Sequence, residues 1–189
     1  SKNTIDYDHS NEEIIEKRRK KLGIDGSLLN NKNSEIHHVN FIEKILATLL
    51  SKVSNFVPEG GIWMNTQRPE WNDANNALVG NGISMVTLYY LRRFVNFFNS
   101  LLEKTDLISV EISFELNEFF NDLHHALNNN KKVIDSSISD QNRKKIVDLL
   151  GTAGSNFRNK IYDDGFSGTK SAIGIKEIKD FTKLLLQYI

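Results

Sequence analysis

Apolar residues recur along most of this chain at intervals of three and four, the spacing that lines one side of an α-helix. Ile36, Val39, Ile42, Ile45, Leu46, Leu49, Leu50, Val53 and Val57 predict a long amphipathic helix over about 34–57 with its apolar stripe buried. Pro58 and Gly60-Gly61 end it, because proline lacks an amide donor and glycine admits positive φ. The segment 84–105 is the most apolar: Met85, Val86, Leu88, Tyr89, Leu91, Phe94, Val95, Phe98, Leu101 and Leu102. These residues cover more than one stripe, so the pattern predicts a helix buried on two sides, with Arg92 and Arg93 at its wetter edge or in a specific ion pair.

The remaining patterns are also helical. Ile112, Leu116, Phe119, Phe120, Leu123 and Leu127 face inward over 109–128. Ser139 can cap a helix to about residue 162 with Ile146, Leu149, Leu150, Ala153, Phe157 and Ile161 inward. Gly151 and Gly154 interrupt it, each at a cost of up to ~1 kcal/mol, and close packing against another helix is the expected reason. A last helix carries Ile178, Phe181, Leu184, Leu185 and Tyr188. Near the start, Ser10-Asn11-Glu12-Glu13 has the capping-box form and opens a short helix closed by Gly23. Residues 1–9 are expected to be disordered, and 23–33 and 163–174 to be loops. No segment predicts a strand. The expected fold class is therefore all-α, long antiparallel helix pairs in one domain or domain fragment over 1–189, with 58–83 as a functional loop.

Composition narrows the classes. With 189 residues, 39% hydrophobic and 25% charged, the chain suits one globular domain. Its 24 basic and 24 acidic residues leave no formal net charge, against the basic excess that nucleic-acid binding needs, so Lys17-Arg18-Arg19-Lys20-Lys21 reads as a solvated helix face. Cysteine is absent, which removes disulfides, thiolate nucleophiles and thiolate metal sites and suits a reducing, cytoplasmic compartment. No apolar signal core opens the chain and no run is long enough to predict a membrane span. The chain begins without Met and ends on Leu184-Leu185-Leu186-Gln187-Tyr188-Ile189, so a piece of a longer protein is expected, completed by the rest of its parent or by a self-associated copy.

The two apolar patterns at 34–57 and 84–105 flank the chemically richest stretch. Glu70 and Asp73 bracket Trp71 just after Pro69, with Arg68, Asn72, Asn75 and Asn76 alongside. An aromatic ring, carboxylates and amides form a sugar-site composition, and general acid catalysis needs a carboxyl group held protonated by its surroundings. The bland alternative is that Asp73 caps a turn and Trp71 is core packing.

Arg68-Pro69-Glu70-Trp71-Asn72-Asp73-Ala74-Asn75-Asn76, followed by Val79-Gly80-Asn81-Gly82-Ile83-Ser84-Met85-Val86, resembles the acid-bearing segment of cellobiose-phosphorylase-type glycoside phosphorylases. There an Asp-Trp-Asn-Asp core precedes an Asn, a Val-Gly and a Gly-x-Ser that opens a helix. Glu70 stands where that family usually has Asp. The resemblance implies part of an (α/α)6 barrel, with Asp73 as general acid and Trp71 against the sugar, supported by Arg68, Glu70, Asn72 and Asn76. It further implies an oligo- or disaccharide substrate, inorganic phosphate as nucleophilic co-substrate, and no other cofactor. The family's phosphate-binding residues come from later barrel helices, so the chain alone is expected to be inactive.

Other candidates are weaker. Gly165-Phe166-Ser167-Gly168-Thr169-Lys170-Ser171 has two residues between its glycines where a phosphate-binding P-loop needs four. His37-His38 and His124-His125 are adjacent pairs that diverge by about 100° on a helix, so no metal site is expected. Asp163-Asp164 lacks the further oxygens of a calcium loop, and no Gly-x-Ser-x-Gly elbow occurs. The alternative function is a non-catalytic helical module that binds a glycan or a protein partner.

Overall fold

The computed structural model describes residues 8–32, 35–65, 81–135 and 137–189. Helix α1 spans His9–Leu22, followed by a 3-10 turn, Gly23–Ser27. Its cap is Asp8, whose carboxylate accepts from the Asn11 amide at 3.0 Å, while Ser10, the expected cap, donates its hydroxyl to Asp8. The expected stop holds, since Gly23 takes φ 69°. No residue of α1 is buried, and α1 packs on the following turn rather than on the core.

The predicted second helix is shorter than its apolar pattern. Helix α2 covers Phe41–Val53, because the Asn40 side chain accepts from the Glu43 amide at 2.8 Å and starts it there. Beyond it, β1 (Phe56–Val57) pairs antiparallel with β2 (Gly61–Asn65), and β2 pairs with β3 (Asn81–Ser84). Gly61, at φ 146°, lies against the Ile83 side chain and the Ser84 backbone, which is the approach its missing Cβ permits. Helix α3, Met85–Leu102, begins where expected, with Ser84 accepting from the Thr87 amide.

The second sheet joins β4 (Ser109–Ser113) to β5 (Lys170–Gly174), antiparallel, with Glu111 opposite Ala172. Helix α4 (Phe114–Asn129) leaves directly from β4, and α6 (Ile175–Tyr188) directly from β5. Between them come a 3-10 turn, Lys131–Asp135, and α5, Asp140–Asp164, capped by Ser139 as expected. One core joins α2 through α6, with Leu46, Leu50, Val95, Leu123, Leu150, Phe181 and Leu185 fully or nearly fully buried.

The fold is thus mixed α/β, with two small antiparallel sheets among the described residues, which corrects the all-α expectation and the (α/α)6 arrangement implied with it. The reason is visible at the junctions. Val53, Phe56 and Val57 continue the helical spacing out of α2 into β1, and Ile112 stands four residues before Leu116 across the β4–α4 boundary. Strands of two to five residues that run into helices are too short to display their own alternation. Their apolar residues Phe56, Ile62, Ile112 and Ile173 are buried in the same core.

Candidate interaction surface

The polar cluster most suggestive of chemistry lies where α2, β4 and β5 meet. Glu43 is buried in the first turn of α2, and its Oε1 accepts from both the amide and the hydroxyl of Ser113. Lys170 Nζ donates to Glu43 Oε2, to Ser113 Oγ and to the His38 carbonyl, at 3.0, 3.0 and 3.2 Å. His37 Nε2 lies 2.8 Å from Ser113 Oγ, and its ring stacks on Phe166. Serine, histidine, a carboxylate and lysine are the ingredients of a nucleophilic site.

Hydrogen-bond accounting excludes that use. The only hydroxyl proton of Ser113 goes to Glu43, so both its lone pairs accept, one from Lys170 and one from His37 Nε2–H. A general base would have to accept from the serine, whereas His37 donates to it. Ser113 is also fully buried. The cluster is a structural knot that ties the loop before α2 to both strands of the second sheet. Burial first, and the Lys170 ammonium second, hold the His37 imidazole below its ordinary pKa.

A groove of about 510 Å³ runs between α4 and α5, with Asp122, His125, Asn129, Lys145, Asp148 and Asn156 among its lining residues. Among the described residues no group of three or more His, Asp or Glu side chains is placed to hold a metal. The charges along this groove are mixed in sign, and Asp148 is already paired with Lys144.

Helix α3 is different. Leu91, Val95, Phe98 and Leu102 form its buried stripe, as spacing predicts. The second stripe, Val86, Tyr90, Phe94, Phe97 and Leu101, recurs at four, four, three and four residues and stands in solvent. Tyr90 is 67% exposed and Phe97 58% exposed. This corrects the expectation of a helix buried on two sides: one side has its partner, the other has none among the described residues. Arg92 occupies the edge next to the core, where its guanidinium donates to the carbonyls of Leu186 and Ile189.

The exposed stripe borders a trough between α2 and α3. Phe41, Ile45 and Leu49 form one wall and Tyr90, Leu91 and Phe94 the other, enclosing about 450 Å³. Phe41, the first residue of α2, is 73% exposed at its mouth. Soluble monomers seldom expose a continuous apolar patch of this kind unless it receives something.

The sequence-predicted site residues Arg68, Glu70, Trp71, Asn72, Asp73 and Asn76 lie outside the described residues, so the structure neither brings them together nor separates them. It places their two ends. Asn65 and Asn81 face each other across the β2–β3 ladder, so segment 66–80 connects two paired strands and not two helices. The sequence reading placed Val86, Phe94 and Leu101 of the second stripe in a helix buried on two sides, without Tyr90 and Phe97, because exposure leaves no mark on spacing. It missed Glu43, Ser113 and Lys170 because nothing in their separation along the chain links them.

No protein-family model and no curated protein matches this chain. Among the described residues, no helix is long and apolar enough to cross a membrane.

Proposed function

We propose that this chain is a non-catalytic module that binds a protein partner through the trough between α2 and α3. The observation that carries the reading is the solvent-exposed second stripe of α3, continuous with a trough whose walls are aliphatic and aromatic. Concave apolar surface with aromatic anchors is where binding energy concentrates in protein interfaces. Selection of helical peptides from a display library tests it. Sequences retained by the wild-type chain should be released by the variant Tyr90→Glu/Phe94→Glu, whose circular dichroism stays unchanged. If no retained sequence distinguishes the two proteins, the trough is not a binding site.

A second reading rests on the segment around Trp71-Asn72-Asp73 and its resemblance to glycoside phosphorylases. In it, Asp73 protonates a glycosidic oxygen while inorganic phosphate or water attacks the sugar. The expected context is a cytoplasmic enzyme acting on an oligo- or disaccharide, completed by chain beyond these residues or by a second copy. Wild-type protein should then release sugar phosphate or free sugar from a disaccharide panel, and Asp73→Asn should reduce turnover to background. Turnover that survives this substitution removes Asp73 from the chemistry.

A further inference from the structure

We infer that the partner received by the α2–α3 trough is an acidic amphipathic helix, with apolar residues on one face and carboxylates along its flank. The inference rests on the binding reading above and adds the partner's chemistry. Its warrant is charge. The charged residues lining the trough are Lys44 and Lys52, both exposed and both on α2. Arg93 is exposed on α3, and helical spacing sets it beside Val86 and Phe97. None of these three cations has an ion-pair partner among the described residues.

Among the described residues of these two helices, no carboxylate offsets them. Helix α3 contains no Asp or Glu, and Glu43 on α2 is buried against Ser113 and Lys170. The trough is therefore an apolar floor with a cationic rim in a chain whose net charge is zero. Lys44 and Lys52 are eight residues apart on α2, about 12 Å along the axis, a separation matched by carboxylates two turns apart on a helix lying alongside. A trough between two helices accepts the side-chain ridge of a third.

The other occupants fit less well. A second copy docked symmetrically would bring Lys44, Lys52 and Arg93 against the same cations, and like charges oppose such a pairing. An anionic bilayer would favour the lysines but takes apolar side chains from a convex or flat face, not from the floor of a trough.

Two labelled helical peptides make the test, each with leucines at i, i+4, i+7 and i+11 and either glutamates or lysines on the flanks. Fluorescence anisotropy should give a Kd for the glutamate peptide at least about tenfold below that of the lysine peptide at low salt. High salt should shrink the difference. Lys44→Glu/Lys52→Glu should reverse the preference, and Tyr90→Ala/Phe94→Ala should weaken both peptides. Equal affinity for the two peptides, still lost on Tyr90→Ala/Phe94→Ala, overturns the acidic partner while leaving the binding reading intact. Binding of neither peptide overturns the helical partner, and the library selection judges the trough separately. Two further results would also overturn the inference, each cancelled by Tyr90→Ala/Phe94→Ala: co-sedimentation with phosphatidylserine vesicles in place of peptide binding, or a dimer in analytical ultracentrifugation.

Discussion

Ser113 shows how a single side chain can look reactive and be structural. Its hydroxyl is spent on Glu43 and its lone pairs on Lys170 and His37, so its contribution is to hold three segments in register. Ser113→Ala should cost about 1–3 kcal/mol in urea unfolding, since Glu43 loses a buried donor. Lys170→Met should cost about 3 kcal/mol or more, because it strands a buried carboxylate beside an apolar side chain. A neutral result for both would mean the knot contributes nothing to stability. Two glycines of α5 separate by the same kind of reasoning. A Cβ on Gly154 would lie 2.7 Å from Ser54 Oγ and 2.8 Å from its Cβ, whereas one on Gly151 meets nothing within 4 Å. Close packing was expected at both and occurs at Gly154 alone. Gly151→Ala should therefore raise the free energy of urea unfolding, by up to ~1 kcal/mol, while Gly154→Ala should lower it.

At the scale of elements, histidine burial couples the loop before α2 and the middle of α4 to pH. His37 and His124 are both held below the ordinary imidazole value, by burial first and then by Lys170 and His125 respectively. A base whose folded pKa is depressed binds its proton more readily in the unfolded chain, so stability is fully present above pH ~6.5 and declines as pH falls. The carboxylates with lowered values, Asp8, Glu103 and Glu115, act in the same direction but at more acidic pH. Urea unfolding between pH 7.5 and pH 5.5 thus isolates the histidines, and the loss over that interval should shrink in His37→Gln/His124→Gln. An equal loss in the variant would assign it to other groups. Helix α1 is the converse case. It buries no side chain, and its amides should exchange with deuterium through local opening, far faster than those of α4, which buries Leu116, Phe119, Phe120, Leu123 and Leu127.

For the whole molecule, the arrangement is one core with two unequal surfaces. Tyr188 reaches from the end of α6 to donate its hydroxyl to the Leu127 carbonyl at 2.7 Å, and burial pushes its phenol up to about 12. Gln187 aside, the last residues of the chain pack onto the core. The trough on the α2–α3 side has no such cover among the described residues, and a partner seated there adds apolar burial.

The helices at 85–102, 140–164 and 175–188 were legible in the sequence to within a few residues, because each carries an apolar stripe of several turns. Ser139 was legible as a cap for a local reason: its hydroxyl and the Asn142 amide it satisfies lie three residues apart. The strands were not: the apolar residues of β1 and β4 fall on the helical spacing of the helices they adjoin, and β2, β3 and β5 are short pieces within segments whose composition reads as loop. Nor was the knot of Glu43, Ser113 and Lys170, whose members meet only after β4 and β5 pair. The sharpest division is on α3 itself. Sequence determined that it carries two apolar stripes, because spacing around a helix is a local property. Which stripe is core and which is surface was decided only by tertiary packing, because burial depends on what the rest of the chain places opposite each face.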